Sequence, residues 1–399
     1  MGVCFLRILL LLLESISKYK WDYVAKINRD FVFKLNSAST FTKPTIGVIS
    51  TWKTRCGIAT YSEHLFSNFE DECIIFSPNI TSVTSDSHEE SIRCWDIGND
   101  DLSNLFNNII DKNITSILIQ FNYGFFDFIS LSKFLKKLSD RNINIIMILH
   151  STIDPKDNPS KKISLIANVL ALCNRLLVHS VSDLNRLKDL NLIDNVSLFP
   201  HGILESNIFK RKNDYKKYAN EELHFSTFGF CLPNKGFEEL IKSISILRNN
   251  NISCRLTLYT SLYDSNVSEE LLQKLNLLIQ KLNLTGYVRI NTSFLTDDQI
   301  FKNLSSTDLV VFPYQSTNES ASGAARQAVS AMVPVAVTPL PIFQDITDVV
   351  YTLPGCSPTS IASGLVEWID NFYGVPMTKN EIIWRKQHSY KIYATNRIS

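Results

Sequence analysis

The residues best placed to do chemistry stand near the end of the chain. A polar run of small residues, Gln315 to Gly323, carries a single carboxylate, Glu319, and leads into Ala324-Ala325-Arg326-Gln327. It lies between two short apolar, β-branched runs, Leu309 to Phe312 and Val333 to Val337, which read as buried parallel strands with a helix between them. Glu319 and a row of free backbone N–H groups therefore meet where a strand ends and a helix begins. A helix N-terminus favours an anion, and open α/β sheets bind ligands at the carboxyl ends of their strands. The stretch predicts a site for a phosphorylated ligand.

A second turn of this kind stands earlier. The strand Thr45 to Ser50 leads through Thr51 to Cys56 into Gly57 and a helix with Ile58, Tyr61, Leu65 and Phe69 on one side. Positioning both turns requires a regular scaffold, and the chain offers one. Cys73 to Phe76, Ser116 to Phe121, Ile143 to Leu149, Arg175 to His179 and Val196 to Phe199 read as strands, with helical stretches between several of them. After Pro200-His201-Gly202-Ile203 the alternation resumes at Leu223 to Phe228, with the helix Phe237 to Leu247 and strands at Arg255 to Tyr259, Val288 to Ile290, Leu309 to Phe312, Val333 to Val337 and Val349 to Tyr351. Such alternation implies two parallel, doubly wound sheets facing a cleft.

We divide the chain into an N-terminal helical extension (1–42), a first Rossmann-like domain (43–205), a linker (206–222), a second Rossmann-like domain (223–375) and a C-terminal helical segment (376–399). The charged run Lys210 to Lys217 has no apolar period and reads as solvated linker.

With 399 residues, 45% apolar and 20% charged, the composition is ordinary for a two-domain protein, and a net charge of +1 gives no reason to expect nucleic acid. The eight cysteines form no CxxC pair and no zinc spacing, so they read as reduced thiols of a cytosolic protein. Val3 to Leu13 is apolar but shorter than the ~20 residues that span a bilayer. It reads as a buried helix or as a segment that touches a membrane surface.

In these motifs the chain resembles the retaining glycosyltransferases of family four, with the two-domain GT-B fold, over roughly residues 45 to 395. The blocks that carry the resemblance are Thr51 to Tyr61, Ile148-Leu149-His150, Pro200 to Ile203, Gly229 to Gly236 with its Lys-Gly pair, and Glu319 to Pro334. The wording Cys56-Gly57-Ile58-Ala59 and Glu319-Ser320-Ala321-Ser322-Gly323 is similar to the branch that builds bacterial surface polysaccharides such as O-antigen.

The resemblance implies transfer of a hexose, with mannose as the subfamily's suggestion, from a nucleotide-diphosphate sugar to a glycan or lipid-linked glycan. It implies no cofactor and no metal, and the sequence holds no convincing Asp-x-Asp motif. By position, Glu319 faces the donor sugar, Lys235 neutralises the diphosphate, and the amides of Ser320, Ala321, Ser322 and Gly323 hold sugar and phosphate. His150 lies near the reacting centre, and Gly57 shapes the acceptor side and touches the phosphates.

Three departures stand out. Gln327 replaces a second glutamate that grips the donor's ribose, and without charge its hold should be weaker. Phe230 stands where relatives have a phosphate-binding arginine. Met332-Val333 replaces a small-residue-plus-glycine pair before Pro334. The first two motivate the alternative of a degenerate, non-catalytic GT-B domain that serves as a scaffold. The helix-like Ser17 to Lys26 also suggests that residues 1–42 are the tail of an upstream transferase domain.

Overall fold

The computed structural model describes residues 45–69, 72–80, 91–98, 101–205, 222–263 and 266–393. The readings of residues 1–42, of Val3 to Leu13 and of the run Lys210 to Lys217 lie outside them.

The chain folds into two parallel α/β units. The first sheet has seven strands: β1 (Ile46–Ile49), β2 (Cys73–Pro78), β3 (Ile92–Trp95), β4 (Ser116–Phe121), β5 (Asn144–Leu149), β6 (Arg175–Val178) and β7 (Val196–Leu198). The second has six: β8 (Leu223–Phe230), β9 (Cys254–Ser261), β10 (Val288–Asn291), β11 (Leu309–Phe312), β12 (Val335–Val337) and β13 (Tyr351–Thr352). Their orders, β3-β2-β1-β4-β5-β6-β7 and β10-β9-β8-β11-β12-β13, both reverse direction beside the first strand of the unit. Those two reversals, between β1 and β4 and between β8 and β11, are where such sheets open a crevice for ligands.

Strands buried on both faces explain the continuous apolar runs. Ile49, Ile119 and Ile145 pack into one core of the first unit, and their neighbours Val48, Leu118 and Ile148 into another on the opposite face. In the second unit Leu309 and Val311 serve one core, Val310 and Phe312 the other. The helices α1 (Gly57–Phe66), α2 (Ser103–Asp111), α3 (Phe128–Asp140), α4 (Ala167–Leu170), α5 (Val181–Asp189), α6 (Phe237–Asn249), α7 (Asn266–Lys281), α8 (Asp297–Ser305), α9 (Gly323–Ser330) and α10 (Pro358–Asn371) cover the sheets. α11 (Lys379–Gln387) and α12 (Tyr390–Tyr393) close the described chain. Tyr390 packs in the first-unit core with Tyr61, and Ile203 bridges to Ser389.

Three sequence readings shift. β3 went unread because Ile92–Trp95 is a four-residue edge strand interrupted by Arg93. The strand expected from Val333 begins at Val335, since Met332 adopts φ +58° and Pro334 has no N–H to give to the ladder. The last strand is only Tyr351–Thr352; Val349 ends a 3-10 segment, Pro341–Val349, whose apolar side chains pack inward.

Candidate active site

The loops leaving β5, β8 and β11 meet between the two units. Lys235 lies in the loop after β8, where Asn234 and Gly236 both have positive φ, 65° and 76°. A β-carbon on Gly236 would stand 1.7 Å from the Pro313 carbonyl oxygen, so glycine is required for the loop to lie against the exit of β11. Gln315 N donates to Asn234 O at 2.8 Å and locks the two loops together. Lys235 Nζ is thereby held 4.1 Å from the centre of the Tyr314 ring and 3.4 Å from Glu319 Oε2. Burial opposes the charge on Lys235, but Tyr314 and Glu319 outweigh it and raise its pKa above the usual lysine value. The lysine is a fixed cation, and Glu319, its side chain 59% exposed, faces open solvent.

The Glu319 loop is tied to the first unit. Ser320 N donates to His150 O at 3.1 Å, and Ser151 Oγ donates to Asn318 O at 2.5 Å. His150, at the exit of β5, thus stands opposite Glu319 and Ser320. The Ser322 hydroxyl caps α9 by accepting from Ala325 N at 3.2 Å, and the Ser320 hydroxyl is buried without a hydrogen-bond partner among the described residues. Of the predicted amides, that of Ser320 is engaged by His150. Gly323 opens α9, 3.6 Å from His201 Nε2 by its would-be β-carbon, and Ala321 is half-buried in the connecting turn.

His150 belongs to a chain of imidazoles. His179 Nδ1 donates to Phe199 O at 2.8 Å, which leaves His179 Nε2 as an acceptor 3.3 Å from His150 Nδ1. His150 then carries its proton on Nδ1, and its bare Nε2 needs a donor. The Gln120 amide, whose oxygen stands 2.6 Å away, supplies one when it is turned so that its nitrogen faces the ring. Tyr61 packs edge-on against His150, His179 and His201, with ring centres 4.9, 5.5 and 4.8 Å away.

Burial lowers the pKa of all three histidines, to about 4 for His179. The nearby Arg326 guanidinium also depresses His179 and His201. In the unfolded chain they titrate near 6.5, so between pH 6.5 and about 4 the unfolded state binds protons that the folded state refuses. Stability is expected to be intact above pH 6.5 and to fall progressively toward pH 4, which thermal unfolding across that range will show. His179→Gln should flatten the slope; an unchanged slope would mean that His179 is not a cause of it.

The remaining predicted residues are placed as follows. Gly57 opens α1 on the first-unit side; a β-carbon there would meet open space, so the position does not need glycine for room. Gln327 lies on α9 with its Nε2 2.7 Å from Asp297 Oδ1. Phe230 ends β8 in an aromatic group with Tyr263 and Phe294, 5.5 and 6.4 Å between ring centres. Arg55, from the first unit, lies over Phe294 at 5.7 Å, so a cation does approach this corner, but from across the cleft.

Sequence reading missed Gln120, His179, Arg326 and Asp297 as parts of the site. His179 carried a signal, since it ends a strand as His150 does. Arg326, 1% exposed, donates to His201 O at 3.1 Å and Ser322 O at 3.2 Å and pairs with Asp345. Nothing in its local sequence indicated burial.

Two Rossmann-like units with this strand order and a cleft between their strand exits define the GT-B fold. No family model and no curated protein matches the chain. Solved structures do match. Sucrose-phosphate synthase from Thermosynechococcus elongatus is similar with a TM-score of 0.68 at 13% identity over 88% of this chain and 97% of that one. Anabaena HepE in complex with UDP and glucose gives 0.67 at 12% over 89% and 98%. The UDP-forming α,α-trehalose-phosphate synthase from Burkholderia vietnamiensis gives 0.65 at 8% over 89% and 98%. At these identities the likeness speaks for the fold.

Proposed function

We propose that the chain is a metal-independent, retaining glycosyltransferase of family four. It transfers a hexose from a nucleotide-diphosphate sugar to a glycan or lipid-linked glycan in surface-polysaccharide synthesis. The observation that carries this reading is the Lys235–Glu319 pair, 3.4 Å apart at the exits of β8 and β11, with Glu319 on a loop whose Ser320 N–H donates to His150 O. Lys235 offers a half-buried cation to the diphosphate. Glu319 offers a carboxylate to the sugar's hydroxyls. Fixed charges of this kind stabilise a leaving diphosphate without reorganising.

In the proposed step the bond from the anomeric carbon to the phosphate oxygen breaks, and its electron pair leaves with the diphosphate. The acceptor oxygen bonds to the same face of that carbon, and its proton passes to the departing phosphate. No pair of carboxylates at glycosidase spacing is then needed. Mannose stays the subfamily's suggestion. HepE, solved with UDP and glucose, makes a uridine nucleotide the first donor to try. The proposal includes no cofactor beyond the nucleotide sugar and no nucleic acid. Membrane contact rests on Val3 to Leu13, outside the described residues; among those described, no helix is long and apolar enough to cross a membrane.

Phe230, set in an aromatic group where a phosphate-binding cation was expected, favours the second reading, a non-catalytic scaffold. Thermal-shift titration against UDP, GDP, dTDP and ADP separates the two. A ligand at 100 times its dissociation constant stabilises the fold by ~2.7 kcal/mol. Selective stabilisation by one nucleotide is expected; no response to any of them would favour the scaffold.

A further inference from the structure

Asp297 is held from both sides of the cleft. Its Oδ1 lies 2.7 Å from Gln327 Nε2 of α9, and its Oδ2 lies 2.7 Å from His64 Nε2 of α1 in the first unit. An ionised carboxylate only accepts hydrogen bonds. Gln327 must therefore present its NH2 to Asp297, which fixes the orientation of the amide. Its Oε1 makes no hydrogen bond among the described residues, and it is the end left for a ligand. A glutamate at 327 would bring a second anion against Asp297, and one of the two would have to take up a proton.

We propose that Asp297 is a positioning residue that holds Gln327 with its carbonyl oxygen toward the donor, where it accepts a hydrogen bond from a ribose hydroxyl. The neutral amide then does the accepting that a carboxylate would do, and Gln327 and Asp297 form a matched pair. His64 fixes the second oxygen of Asp297 and keeps the carboxylate aligned. The inference rests on the transferase reading, because its ligand is a nucleoside diphosphate with a free 2′,3′-diol.

The test compares binding of UDP and 2′,3′-dideoxy-UDP by calorimetry, with GDP and its dideoxy form used instead should GDP bind better. Wild type is expected to prefer the diol by about tenfold, the worth of one good hydrogen bond. Asp297→Leu and Gln327→Glu should each cut that preference to near unity, whereas a residue that only supports the fold would weaken both ligands alike. The double variant D297N/Q327E should restore it: the amide introduced at position 297 would donate to the carboxylate introduced at position 327, whose other oxygen accepts from the ribose. A diol preference untouched by D297L, or a double variant no better than Q327E, overturns the proposal. A wild type that binds nucleotide without preferring the diol overturns it alone, while one that binds no nucleotide overturns the transferase reading as well.

Discussion

Lys235→Ala is expected to abolish glycosyl transfer while the protein stays folded. The lysine lies inside the crossing of two loops, with Tyr314 under its ammonium and Glu319 beside it, and the Gln315–Asn234 hydrogen bond keeps both loops in place without it. Removing a preorganised charge from the leaving group costs ~10²–10³ in rate. Losing the contact with the Tyr314 ring costs ~1–2 kcal/mol at a desolvated site, a few degrees in Tm for a chain of this size. Nucleotide stabilisation should vanish together with activity. Glu319→Ala should also abolish transfer, yet keep binding of the bare nucleoside diphosphate, because the carboxylate faces the sugar and its removal leaves Lys235 more available to phosphate. Steady-state transfer assays beside thermal-shift titrations report both. Full activity in either variant sinks the assignment of that residue.

Arg326→Met is expected to cause the largest loss of stability. Its guanidinium joins α9 to the backbone at His201 and to the 3-10 segment through Asp345, and the side chain is 1% exposed. Cutting one partner from a buried ion pair costs ~3–5 kcal/mol because the other charge is stranded. Asp345 keeps 25% of its side-chain exposure, which places the expected loss toward the lower end. Chemical denaturation measures it. Adding Asp345→Asn should recover part of the loss by removing the stranded charge. Unfolding indistinguishable from wild type would show that the buried pair contributes nothing net.

The fold and half of the site were legible in the sequence, and the reasons are specific. Val48, Ile49, Leu118 and Ile119 read as strands because parallel strands covered on both faces are apolar at every position, and such runs survive without tertiary context. The Glu319 loop was legible because a polar segment of small residues between two such runs has only a strand exit and a helix start to occupy. β3 was not legible, and β13 was read two residues early, from Val349. Edge strands of four and two residues carry too little pattern to distinguish them from connecting chain.

Residue order was enough to establish that the chain forms two alternating α/β units and that Glu319 stands at a strand exit before a helix. Which side chains meet was settled only by packing. Lys235 reaches Glu319 across 84 residues, His150 joins Gln120 and His179 across 30 and 29, and Asp297 takes Gln327 from its own unit and His64 from the other. Local periodicity reports which face of an element is buried, because burial repeats along the chain. Partners are set by strand order and by how the two units pack, and neither quantity repeats.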